Sequence, residues 1–89
     1  MASRRLEIVN VRGLHARASR KLAELAMAYD AQIEIRREDE AADATSLMDV
    51  MMLGAGLGSE IEVHADGPQA AEAIDAIAAL VAERFGEAE

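Results

Sequence analysis

The chain has 89 residues, no cysteine and a formal net charge of −8, which excludes disulfides and thiolate metal sites and argues against a nucleic-acid binder. It is 52% hydrophobic with one Tyr and one Phe, so one domain spanning 1–89 with a modest aliphatic core is expected. "MASRRLEIVN" has no secretory pattern and no run approaches the ~20 apolar residues of a membrane span, so a soluble cytoplasmic protein is expected.

In chain order, "RLEIVNV" (5–11) alternates and predicts a strand, broken by Arg12-Gly13. From Ala16 the period becomes helical. Ala18, Leu22, Leu25, Ala26 and Tyr29 form an apolar stripe, and the helix is expected to run to about Tyr29. "AQIEIRR" (31–37) alternates again, and "EDE" (38–40) is a turn. "AADA" (41–44) is a short strand suited to a sheet edge. "SLMDVMML" (46–53) predicts a short helix, capped by Thr45 or Ser46 and ended by Gly54. "GAGLGS" follows a helix and precedes a strand, the reverse of a dinucleotide-binding loop, and reads as a flexible connection.

"EIEVHA" (60–65) is the clearest strand, with Ile61, Val63 and Ala65 inward and Glu60, Glu62 and His64 in solvent. A long helix follows, capped by Asp66 or Gly67, with Pro68 in its first turn. Ala70, Ile74, Ile77, Ala78, Val81 and Phe85 form its stripe, and "GEAE" is expected to fray. The order β-α-β-β-α-β-α predicts an α+β, two-layer open-faced sandwich. Its four-stranded, mostly antiparallel sheet carries three helices on one face.

Charge is unevenly spread. Residues 1–23 carry six basic side chains against Glu7 alone, a net +5, and the rest carry three basic against sixteen acidic, a net −13. Such asymmetry suggests a positive site on an acidic body. Within it His15 stands where a strand has ended and a helix begins. The start of a helix offers unpaired amides and a partial positive charge, which attract phosphate. A neutral imidazole placed there keeps a lone pair free to attack phosphorus. Arg17 can offer a fork of donors to phosphate oxygens, and Gly13 permits unusual backbone angles beside the site. Reversible phosphoryl transfer needs these parts and little else. A half-buried histidine capping the helix is the plainer alternative.

"GLHARAS" resembles the active-site segment of HPr, the histidine phosphocarrier family of the bacterial phosphoenolpyruvate-dependent phosphotransferase system. "SLMDVMMLGAGLGSEIEV" (46–63) resembles that family's second signature, and the element order matches along essentially the whole chain. The resemblance implies a phosphoryl carrier, a co-substrate rather than an enzyme, with no cofactor and no metal. His15 would be phosphorylated at Nδ1 by enzyme I and would pass the group to an enzyme IIA. Arg17 would assist, with phosphate held at Ala16, Arg17 and Ala18. Ser46 falls on a serine that a dedicated kinase phosphorylates in some members. Leu47, Met48 and Met51 fall on the partner-docking patch, which the basic Arg12, Arg20 and Lys21 would extend by steering acidic partners.

Two residues depart from the family pattern. Ala18 replaces a proline, restoring an amide N–H and loosening the helix entry. Asp49 replaces a glycine beside Ser46, which could weaken kinase or partner contact. Val50 and Leu53 read as core, and the exposed share of the Met/Leu cluster as docking surface. A monomer is expected. Sugar uptake and the nitrogen-related regulatory branch both remain open, with Ala18 and "SLMDVMML" leaning toward the latter. A regulatory module acting on a kinase or transcription factor through the same surface is the competing function.

Overall fold

Side-chain alternation decides which side of the sheet meets the helices. In the computed structural model, which describes residues 1–88, the elements are β1 (Ala2–Glu7), α1 (Ala16–Ala26), β2 (Gln32–Arg37), β3 (Glu40–Asp43), α2 (Leu47–Met52), β4 (Glu60–Asp66) and α3 (Ala70–Ala82). A single 3₁₀ turn, Arg84–Gly86, follows α3. The strands lie in the order β1-β4-β2-β3, and every neighbouring pair is antiparallel. The expected open-faced sandwich is thus present. The registers Leu6↔Ile61, Ile35↔Val63 and Ile35↔Ala42 align apolar residues on one face. Leu22, Val50, Ile74, Ile77 and Val81 cover that face from the helices and share one core with it. β3 lies at the edge, as its short, weak sequence predicts.

The other face is polar. Glu62 accepts from His64 Nε2 at 2.5 Å and from Arg5 Nη2 at 3.5 Å. The hydrogen bond from His64 is the main reason the Glu62 carboxyl lies below its ordinary range. His64 was expected in solvent, but its side chain is 18% exposed because it folds onto Glu62.

Several element boundaries differ from the sequence expectation, and Phe85, expected in the α3 stripe, lies beyond the helix end at Ala82. β1 begins at Ala2 and ends at Glu7 rather than spanning 5–11. Its register stops at Glu7↔Glu60, where β4 starts, so no partner strand remains for the rest. Arg4 and Arg5 therefore lie within the sheet, and Arg4 donates to Asp75 of α3 at 2.7 Å. α1 ends at Ala26 because the bonds tighten there: Ala28 N donates to Leu25 O and Tyr29 N to Ala26 O. α3 starts at Ala70, after Pro68, and neither Asp66 nor Gly67 caps it. Asp66 remains in β4, while Gln69 clips the α1–β2 loop. Its Oε1 accepts from Asp30 N at 2.7 Å, and its N–H donates to Asp30 O at 3.0 Å.

Ser46 settles the choice of cap for α2, its Oγ accepting from Asp49 N at 3.4 Å. Just before it, the Asp43 carboxylate takes the N–H and O–H of Thr45 at 2.9 and 2.7 Å. The backbone bond first, then the hydroxyl, hold Asp43 below the usual carboxylate range. At the far end Arg37 Nη1 donates to Leu53 O at 3.1 Å, tying α2 to the sheet.

Candidate functional site

The site begins at Gly13. Its φ is +65°, and a Cβ there would lie 2.5 Å from Ala55 O and 2.7 Å from Gly56 Cα. Leu14 N donates to the same Ala55 carbonyl at 2.9 Å. The loop after α2 therefore clasps the segment leading to His15. It is better built than the flexible connection expected from "GAGLGS": Ala55 is buried, Gly58 N donates to Ile8 O, and Ile8 N donates to Ser59 O. Gly13→Ala is expected to destabilise the fold by about 3 kcal/mol, through left-handed backbone strain plus displacement of the clasping loop. Denaturant unfolding checks this; an unchanged midpoint would mean the two backbones can separate freely.

His15 is the N-cap of α1, with extended backbone (φ −73°, ψ −179°). Its carbonyl accepts the first helical bond from Ser19 N at 2.9 Å, and its Nδ1 accepts from Arg17 N at 3.3 Å. The ring's Nε2 contacts Glu87 Oε2. Because Nδ1 accepts, the neutral ring holds its proton on Nε2 and donates it to Glu87. Nδ1 then carries the available lone pair. The ring is 14% exposed, so most of it is covered, with Glu87 against its Nε2 side.

Glu87 belongs to the tail expected to fray; Glu89, the last residue of that tail, lies outside the described residues. Instead of fraying, the tail up to Glu87 is anchored. Phe85 is 1% exposed, Lys21 Nζ donates to its carbonyl at 2.6 Å, and Glu87 N donates to Arg84 O. Arg84 and Phe85 take left-handed φ angles of 58° and 55°. Each costs roughly 1–2 kcal/mol for a residue with a Cβ, an amount that burying a phenyl ring can offset.

Asn10 completes the support. Its Nδ2 donates to Gly13 O at 2.8 Å and to Glu87 Oε1 at 3.0 Å. It is fully buried, and its Oδ1 has no partner among the described residues. Leaving that oxygen unpaired costs about 1–3 kcal/mol. Flipping the amide would forfeit both donated bonds.

Partial burial raises the Glu87 carboxyl, but hydrogen bonds from His15 and Asn10, with the charges of His15 and Arg12, outweigh it and set it below the ordinary range. A depressed carboxyl stabilises the docked tail above its unfolded value and loses that contribution as pH falls. The tail is therefore expected to undock below about pH 4, seen as amide exchange at 86–88 rising before global acid unfolding.

Arg12 and Arg17 are exposed and, with Val11, Glu87 and Ala88, line a shallow cavity of about 340 Å³. Ala16 follows His15 as the first residue of α1, and Ala18 is buried in its first turn. The amides of Ala16 and Ala18 belong to the helix start, which has no intrahelical acceptors for them. Arg20 pairs with Glu24 at 3.3 Å, and Lys21 is turned to the Phe85 carbonyl. Ser46 is half-buried as a cap, as are Leu47 and Met51, while Val50 and Leu53 are core.

Met48, Met52 and Leu57 are 60%, 73% and 59% exposed. Met52 belongs to the Met/Leu cluster whose exposed share is expected to dock partners, while Leu57 carries no such signal in the sequence. Asn10, Ser19 and Glu87 were also missed. Only burial reveals Asn10 and Ser19, and a terminal glutamate carries no local signal. Larger hollows lie over the polar sheet face, lined by Arg36 with Glu34 and Asp43 or with Arg5 and Glu62. Among the described residues, no group of His, Cys, Asp or Glu side chains is placed to hold a metal ion.

A small antiparallel sandwich that presents an imidazole at a helix start, with Arg12 and Arg17 close to it in the chain, defines a phosphoryl carrier. The family model for the "PTS HPr component phosphorylation site" matches residues 2–83. The phosphocarrier protein HPr of Cupriavidus necator is 49% identical over the full length of both chains. The phosphocarrier protein NPr of Shewanella violacea is 45% identical over 96% of this chain and 93% of its own. The crystal structure of HPr-C-His from Thermoanaerobacter tengcongensis superposes with a TM-score of 0.95 at 32% identity, covering all of both chains. This chain belongs to the PTS-HPr family, and its role is that of a phosphocarrier of the phosphotransferase system.

Proposed function

We propose that His15 carries the phosphoryl group, on Nδ1, receiving it from phospho-enzyme I and passing it to an enzyme IIA. One observation supports this above the others: the ring's free lone pair is on Nδ1, at the mouth of the α1 amides. The long 3.3 Å bond from Arg17 N is readily surrendered when that lone pair attacks phosphorus. The freed amide then meets a phosphoryl oxygen, with the amides of Ala16 and Ala18 beside it. The Arg17 guanidinium supplies the strong, mobile share of charge stabilisation. Ala18, in place of proline, adds an amide donor to this cradle.

The carrier returns unchanged after each cycle, so it acts as a co-substrate and not as an enzyme. It works as a cytoplasmic monomer that meets its partners through a mixed surface. Met48 supplies exposed, adaptable apolar contact, and Leu47 and Met51 form its half-buried base. Arg12 steers acidic partner faces toward His15, whereas Arg20 is paired with Glu24 and Lys21 is bonded to the Phe85 carbonyl. Ser46, already a helix cap, is a site for a serine kinase; phosphate there would be favoured by the α2 amides but opposed by Asp49. Similarity to both HPr and NPr relatives fits either sugar uptake or the nitrogen-related branch, and we favour the latter.

The test is phosphorylation by phosphoenolpyruvate and catalytic enzyme I. One acid-labile phosphate per chain is expected, and it should transfer to an added enzyme IIA. If a competent donor leaves no label, the reading fails.

A further inference from the structure

Glu87 makes no contact with Nδ1, yet it is the partner of the ring's other nitrogen and is itself held by a fully buried asparagine. We infer that Glu87 is a positioning residue for phosphoryl transfer: held by Asn10, its carboxylate fixes the His15 tautomer and neutralises the charge that forms on the phosphorylated ring. The inference rests on His15 being the carrier residue.

The chemistry requires such a counter-charge. When the Nδ1 lone pair forms the new N–P bond, the donor's N–P bond breaks and its electron pair returns to the donor nitrogen. His15 keeps its Nε2–H throughout. The ring has then gained a bond without losing a proton, so it is an imidazolium. A carboxylate already bonded to Nε2–H meets that charge without rearrangement. In the return step the N–P bond breaks, its electrons restore the Nδ1 lone pair, and the same Nε2–H…Glu87 bond remains. No proton moves in either direction.

Three features make the contact a built one. Asn10 gives one N–H to Gly13 O and the other to Glu87 Oε1, so the turn before His15 and the tail after α3 are joined through one buried amide. Phe85 and the Lys21 bond to its carbonyl fix the tail two residues before Glu87. The left-handed pair Arg84–Phe85 reverses the chain so that Glu87 reaches the ring. The carboxylate also faces Arg12 across the cavity. On the Nδ1 side the ring's hydrogen-bond partner among the described residues is the Arg17 amide alone.

The experiment uses the full chain with its imidazole nitrogens labelled, as wild type, Glu87→Ala and Glu87→Gln. Nitrogen chemical shifts give the tautomer ratio of the free ring, and exchange with phospho-enzyme I gives the phosphorylation equilibrium. Unfolding midpoints verify that each variant is folded. In wild type the Nε2–H form should dominate. In Glu87→Ala the Nδ1–H form should rise about tenfold, and the equilibrium should move about tenfold toward phospho-enzyme I. Glu87→Gln, which keeps the shape and loses the charge, should show the same shift in equilibrium. If Glu87→Ala leaves both readouts unchanged while His15 is still labelled, the role of Glu87 is refuted and the carrier assignment stands. Label on any residue other than His15 overturns both.

Discussion

His15→Ala is expected to take up no phosphate from enzyme I, while folding nearly as well as the parent chain. The loss should be complete because the variant removes the nucleophile itself and not a group that assists it. The fold should survive because the ring contributes a long N-cap bond and the Glu87 contact, together worth roughly 1–2 kcal/mol. The Gly13–Ala55 clasp and the Leu22 side of α1 are untouched. The chain has two histidines, so a control is available. His64 lies on the polar face of the sheet, bonded to Glu62 and away from any helix start. His64→Ala should be phosphorylated like the parent. Acid-labile label that persists in His15→Ala and vanishes in His64→Ala would reverse the assignment.

Phe85→Ala should cause the largest loss of stability among single truncations, about 3–5 kcal/mol. Phe85 is the chain's one phenylalanine and is 1% exposed. The rest of the core is aliphatic and rich in alanine, so its neighbours have few long side chains with which to refill the space. A domain of this size has little stability in reserve, and such a loss should leave a sizeable unfolded fraction at 37 °C. The residue also begins the tail. In molecules that remain folded, Glu87 should leave His15, and the ring should show the tautomer ratio of Glu87→Ala. Denaturant unfolding with ring nitrogen shifts measures both effects. A midpoint change equivalent to less than 1 kcal/mol would show that Phe85 is not a core anchor. Phe85→Leu, which retains most of the volume, should lose under half as much.

The charge asymmetry read from the sequence divides in space. Arg4 and Arg5 are taken up by Asp75 and Glu62 in and behind the sheet, so they do not belong to the site. Arg12 and Arg17 remain exposed and share a cavity with Glu87, the partner of the ring. Lys21, close to them in sequence, faces the Phe85 carbonyl instead. A one-dimensional count of charge cannot make these distinctions, because each depends on what a distant segment places opposite the side chain.

Period and punctuation were enough to place every strand and helix, because alternation and the three- to four-residue step express local geometry. The motif around His15 was equally local: strand end, glycine, histidine and helix start are successive in the chain. The ends of elements were less legible. β1 stops where β4 begins, and α3 starts just after Gln69, which is held by the Asp30 loop, and both events involve residues far apart in sequence.

Unaided, the sequence determined the fold class, the aliphatic core and the histidine at the start of a helix, since all three follow from interactions between near neighbours. Only the tertiary structure decided what stands behind the ring. Asn10, Lys21, Phe85 and Glu87 come together there from the two ends of the chain. Their meeting is a matter of packing and long-range hydrogen bonding, which leave no periodic trace in either segment.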